Sequence, residues 1–201
     1  MPKWVAAWLV LAAFSAAGCA ASRMQEAYKN PQYLGGVIKS VLVVGVAKKI
    51  ETRKSFESHF AKALSKAGLR AVPSHEKAPR LKQADAQVIR QTAAALGLQA
   101  VMVVHYRGAE REFQTPQGPT PGLDYNSLPY YFPGVYNYVN RPDYAPMKSY
   151  LQLECNLYEV KSLDLVWTGH SEILEPRDLG ELSADLAGLV TAQLKKDGLL
   201  P

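Results

Sequence analysis

The chain has 201 residues and a formal charge of +5, and about half of its residues are apolar, with 48% hydrophobic against 20% charged. Those proportions exclude a disordered or fibrous chain and supply enough apolar material for one core without covalent staples. The positive excess is mild and dispersed, which excludes nucleic acid as a partner, and no cofactor-binding motif is expected.

Met1-Pro2-Lys3 sets a lysine and the amino terminus ahead of an apolar run, Trp4 to Phe14; small residues, Ser15 to Gly18, lead to Cys19. Positive end, apolar middle and small-residue cleavage site are the order of a secretory signal. The ending Ala17-Gly18-Cys19 resembles a bacterial lipoprotein signal, in which the cysteine is acylated and heads the mature chain. Ala16 stands where such signals usually carry leucine. Two other readings therefore stay open: an ordinary secretory signal cut near Ala17, or an uncleaved anchor, since Trp4 to Ala21 is free of charge. On the lipoprotein reading, residues 1–18 are the signal and residues 19–38 a lipidated tether broken at Asn30-Pro31 and Gly35-Gly36. About twenty extended residues reach roughly 65 Å. The resemblance implies a membrane partner through the lipid on Cys19. Ala20, where an aspartate favours inner-membrane retention, implies outer-membrane placement facing the periplasm.

Residues 39–201 are then a single domain. Val41 to Val46 is a continuous apolar run, the mark of a strand covered on both faces. A helix over about Lys54 to Ala67 puts Phe56, Phe60, Ala63, Leu64 and Ala67 on one face, and Gly68 ends it. A short strand, Leu69 to Val72, is stopped by Pro73, and Ser74 to Lys82 reads as polar loop. A second helix over about Asp85 to Leu96 buries Val88, Ile89, Ala93 and Leu96 and closes at Gly97. Ala100 to Val104 is the third strand, extending in polar form toward Glu112.

Thr115 to Pro146 breaks the pattern with seven prolines and six tyrosines and no helix or strand period, so it is expected as a long loop. Two strands follow, Ser149 to Tyr158 and Asp164 to Leu174. They read as a hairpin in which Leu151, Leu153, Cys155 and Leu157 face the core and Gln152, Glu154 and Asn156 face solvent. Cys155, with no partner if Cys19 is acylated, is a small core residue. A last helix is capped by Asp178 with Glu181 three residues on, buries Leu182, Leu186, Leu189, Val190 and Leu194, and ends at Gly198.

The predicted fold class is α/β (α+β), a single mixed five-stranded sheet in the order β-α-β-α-β-loop-β-β-α with helices on both faces. Right-handed crossovers put the first strand in the middle, the second on one side and the third on the other. The hairpin then extends the sheet from the third strand. The first two helices fall on opposite faces, and the last shares one of them.

The runs Val41-Leu42-Val43-Val44-Gly45-Val46-Ala47-Lys48, Ala71-Val72-Pro73-Ser74, Leu157-Tyr158-Glu159-Val160, Leu165-Val166-Trp167-Thr168-Gly169 and Leu194 to Leu199 together resemble a family of bacterial envelope lipoproteins of unknown function. The domain is similar to that of the curli-secretion lipoprotein, the penicillin-binding-protein activator lipoproteins and the amino terminus of TolB. The resemblance implies an assembly, secretion or regulatory factor acting on an envelope protein. One departure stands out: the hairpin turn reads Lys161-Ser162-Leu163-Asp164, with leucine where glycine would take a positive φ easily.

Catalytic constellations are thin. His59, His75, His105 and His170 are scattered, none with a second ligand at metal-site spacing, so no metal is expected. Gly169-His170-Ser171 lies within a strand and is no nucleophile elbow. Glu110 and Glu112 lie among arginines and read as solvated charge. The candidate binding surface is Lys48 and Lys49 with Tyr130, Tyr131, Phe132, Tyr136 and Tyr138 of the long loop; the rival reading packs those rings over the sheet. Function is expected to be non-enzymatic: an accessory or assembly factor binding a protein partner at the membrane surface. The alternatives are a secretion-pore or peptidoglycan-synthesis regulatory subunit and a periplasmic enzyme.

Overall fold

A computed structural model describes residues 22–78, 85–109, 125–139, 150–174 and 176–201. Within them lie six strands: β1 (Arg23–Lys29), β2 (Ser40–Val46), β3 (Arg70–Pro73), β4 (Ala100–Ala109), β5 (Tyr150–Glu159) and β6 (Leu165–Leu174). The helices are α1 (Ile50–Lys66), α2 (Ser74–Lys77), α3 (Ala86–Ala95), α4 (Leu128–Val139) and α5 (Leu179–Lys196). The strands form one open sheet in the order β1-β6-β5-β4-β2-β3. β2 pairs in parallel with β3 on one side and β4 on the other, and β5 and β6 continue antiparallel from β4. This is the arrangement that two right-handed crossovers and a hairpin require.

Both faces of the sheet are covered, as the apolar run of β2 demands. On one face Val41, Val43, Met102, Val104, Leu153 and Cys155 meet Phe56, Phe60 and Leu64 of α1 and Leu186, Val190 and Leu194 of α5. On the other, Leu42, Val44, Val101 and Val103 meet Ile89 and Ala93 of α3 and Leu128, Tyr131, Phe132 and Val135 of α4. The α5 cap forms as its sequence implies: Asp178 Oδ1 accepts from the Glu181 amide at 2.8 Å, and Glu181 Oε2 accepts from the Arg177 amide at 2.7 Å. Gly198 ends α5 with φ 69°.

Several expectations are corrected. The sheet has six strands rather than five, because part of the expected tether, Arg23–Lys29, adds to β6 as an antiparallel edge strand. It has little apolar content, but its backbone satisfies the edge of β6, and Asn30 continues the link by donating to the Leu165 carbonyl at 2.8 Å. The expected loop contains α4. Two prolines, Pro129 and Pro133, mask its helical period; the first falls in the opening turn, where its missing N–H costs nothing. The supposed solvent face of β5 is covered beneath α4, so Glu154 and Asn156 are fully buried. α1 begins at Ile50, one turn earlier than expected, a short helix occupies part of the Ser74 to Lys82 loop, and Val88 is exposed. Residues 79–84, Glu110 and Glu112 lie outside the described residues, as do the expected leader and Cys19.

Candidate functional site

β2 ends at Val46, and its two parallel neighbours lie on opposite sides, so the point where strand order reverses is at the carboxyl ends of β2 and β4. A cleft of about 430 Å³ opens there. Its floor is Gly45, Val104, Tyr106, Leu151 and Leu153; one wall is the start of α1, with Lys48, Lys49, Thr52 and Phe56, and the other is the start of α5, with Leu179 and Leu182. Gly45 keeps the floor low: a Cβ there would stand 3.0 Å from the Phe56 ring and 3.3 Å from Glu57 Cγ. Among the described residues the lining is apolar apart from Lys48, Lys49, Thr52, Arg53, His105 and Tyr106, and holds no Asp, Glu, Ser or Cys. Burial pushes the Tyr106 hydroxyl above its ordinary pKa, so it stays a neutral phenol.

A buried carboxylate braces the α1 side. Glu57 Oε1 accepts from the Gly45 amide at 2.9 Å, from Arg53 Nε at 2.8 Å and from Ser74 Oγ at 2.8 Å. Its Oε2 accepts from the His75 amide at 2.7 Å and lies 3.0 Å from His75 Nδ1. Arg53 also donates to Ser74 Oγ at 2.8 Å. A fully buried charge needs such saturation. The network ties α1, the end of β2 and α2 into one frame, and it leaves Arg53 occupied.

A second buried cluster sits on the opposite face. Register places His105 of β4, Glu154 of β5, His170 of β6 and Glu26 of β1 in one row across four strands. Residues opposite one another in antiparallel strands share a face, so the four side chains stand side by side. Tyr131 of α4 closes over them, donating to Glu154 Oε1 at 2.7 Å with its oxygen 2.9 Å from His105 Nδ1. The hydroxyl has one proton, so this geometry assigns the His105 proton to Nδ1. Asn156 Nδ2 donates to the same Glu154 oxygen at 2.6 Å, His170 Nε2 lies 3.3 Å from Glu154 Oε2, and Arg107 Nε 3.7 Å from it. Burial lowers the His105 pKa to about 4, aided by Arg107 and His170 and opposed by Glu154, so the ring is neutral at pH 7. Burial pushes Glu154 upward, but His105, His170 and the Tyr131 hydrogen bond outweigh it and hold the carboxyl at about 2. Glu154 is therefore a buried anion that pins α4 to the sheet.

No protein-family model matches the chain, and no curated relative matches it. Among solved structures it is similar to the PelC dodecamer from Paraburkholderia phytofirmans, at 12% identity over 85% of this chain and 95% of that one, with a TM-score of 0.45. It is also similar to lipoprotein GNA1162 from Neisseria meningitidis, at 14% identity over 78% of this chain and 98% of that one, with a TM-score of 0.40.

The fold separates the expected binding surface into parts. Lys48 and Lys49 stand at the mouth of the cleft. Tyr131 and Phe132 are buried in the core beneath α4, which removes them from any exposed surface. Tyr136 is half-buried against the same cluster, with its ring centroid 6.3 Å from that of Phe132. Tyr130 is largely exposed, at 70%. The side chain of Tyr138 and the whole of Cys19 lie outside the described residues. The Glu154 cluster was missed because its members are scattered in sequence; the one available signal was histidine and glutamate at matching inward positions of adjacent strands. Among the described residues no group of His, Cys, Asp and Glu could hold a metal ion, and no helix is long and apolar enough to cross a membrane.

Proposed function

We propose that this chain is an envelope lipoprotein, anchored through Cys19, that works without catalysis as an accessory or assembly factor and holds a protein partner at the membrane surface. The observation that carries the reading is the cleft at the carboxyl ends of β2 and β4. Open α/β sheets receive ligands at such a switch point. Here the walls are apolar, the two exposed lysines stand at the rim, and the arginine is held by Glu57. Such a lining suits an apolar segment flanked by acidic groups, and among the described residues no Asp, Glu, Ser or Cys lines it.

Two experiments test this. Cys19→Ser releases the protein from membranes or leaves an uncleaved precursor, because stable attachment takes more than one acyl chain. A cleaved Cys19→Ser protein that stays with membranes through a high-salt wash, which removes electrostatic contacts, overturns the anchor. A photocrosslinking residue at Thr52, on the cleft wall, captures a protein from intact membranes, while one at Lys66, at the far end of α1, does not. Equal capture from both positions, or from neither, overturns the cleft as the partner site.

A further inference from the structure

We infer that the edge of the domain bearing Lys48, Lys49 and Ile50 is a membrane-contact surface that rests on anionic lipid headgroups and turns the mouth of the cleft toward the bilayer. The orientation rests on the anchored reading above; the surface itself rests on charge and exposure.

Strand directions supply the first argument. β4 runs parallel to β2, β5 antiparallel to β4, β6 antiparallel to β5, and β1 antiparallel to β6. β1 therefore starts at the edge where β2 and β4 end. The register agrees: Arg23 lies opposite Glu172, Glu172 opposite Gln152, and Gln152 opposite Gly108, beyond the level at which Val46 meets His105. Only residues 20–22 separate Cys19 from Arg23. Four extended steps span at most about 14 Å. An acyl chain on Cys19 thus draws this edge, and no other, against the bilayer.

Charge supplies the second. Among the described residues near this edge, Glu51 pairs with Lys54 at 3.5 Å, Glu172 with Arg23 at 2.9 Å and Glu181 with Arg177 at 3.0 Å, Asp185 accepts from Ser22 Oγ at 2.9 Å, and Asp178 caps α5. Lys48 and Lys49 are exposed, and no carboxylate among the described residues pairs with either. They lead directly into α1, whose N-cap residue, Lys49, makes no side-chain cap, so the first-turn amides also favour an anion. Ile50 follows at 40% exposure, an apolar side chain placed beside two cations. Paired lysines beside an exposed apolar residue are suited to the headgroup region of an anionic leaflet.

The test uses residues 20–201, which hold every described element and carry neither leader nor acyl chain. It measures co-sedimentation with vesicles of phosphatidylglycerol and phosphatidylethanolamine against vesicles of phosphatidylcholine. Binding to the anionic vesicles, weakening with salt, is expected. K48E/K49E should weaken it by about tenfold or more, and Ile50→Ser by about threefold. K62E/K66E makes the same charge change on exposed residues toward the other end of α1 and should alter binding by less than about twofold. Equal binding to neutral vesicles, an equal effect of K62E/K66E, or no vesicle binding overturns the inference. The outcomes separate from those of the proposed function. Loss of vesicle binding with Thr52 crosslinking retained gives this edge to a protein partner. Vesicle binding alongside a cleaved Cys19→Ser protein that stays with membranes through the high-salt wash leaves the contact surface standing without the anchor.

Discussion

Leu163 sits in the hairpin turn with φ 66°, a left-handed conformation that costs a residue with a Cβ about 1–2 kcal/mol. Burial holds it there. The side chain is 6% exposed in the α4-side core, and its carbonyl accepts from the Leu128 amide at 3.0 Å, which starts α4. Relief of strain and loss of burial oppose each other in Leu163→Gly. Emptying a buried leucine site costs about 2–5 kcal/mol, so a net loss of about 1–3 kcal/mol is expected, read as a lower urea midpoint. An unchanged or raised midpoint would show that strain dominates. His105 gives a pH signature. Its folded pKa, about 4, lies below the unfolded value of 6.5, so the unfolded chain takes up the proton first as pH falls. Its contribution is whole above about pH 6.5 and lost toward pH 4, with about 2 kcal/mol gone by pH 5. Glu154, held at about 2, adds a loss in the same direction below about pH 4.5. His105→Gln should flatten the fall in unfolding free energy between pH 7 and pH 5; an unaltered slope would assign that loss to other groups.

At the scale of elements, α4 decides what the aromatic segment does. Tyr130 and Tyr131 are adjacent in sequence and identical in composition, yet the helix turns one to solvent and the other into the core. Tyr130→Ser should change stability by less than about 0.5 kcal/mol. Tyr131→Ser should cost about 3–5 kcal/mol, and Tyr131→Phe, which removes only the hydroxyl facing Glu154 and His105, about 1–3 kcal/mol. Thermal melts of the three variants measure this, and similar losses for Tyr130→Ser and Tyr131→Ser would contradict the placement of α4. The parallel core strands and the first and last long helices were legible because burial on both faces writes a continuous apolar run, and burial on one helix face writes a period. α4 was not legible, since prolines and polar-tipped rings conceal its period. β1 was not legible either, because an edge strand held by backbone hydrogen bonds needs no apolar pattern.

At the scale of the molecule, β1 does two things. It covers the edge of β6, and it begins at the edge of the sheet that holds the cleft. Deleting residues 22–30 should expose the β6 edge, lower the melting temperature and promote association through unpaired strand groups. A monomeric truncated domain with the melting temperature of the full chain would show that β1 adds nothing to the fold. The order of the five strands β6-β5-β4-β2-β3 was determined by the sequence alone, because crossover handedness and the spacing of apolar runs leave few ways to cover both faces. The position of the cleft followed from that order. Only the tertiary structure decided which polar residues are buried. Glu57 and Glu154 are carboxylates whose burial depends on partners on other elements, Gly45, Ser74 and His75 for the first and His105, Tyr131 and His170 for the second, which no pattern within their own helix or strand marks. The fold alone also placed Lys48 and Lys49 on the same edge as Arg23, since the shared edge arises from strand directions summed across four pairings rather than from any stretch of sequence.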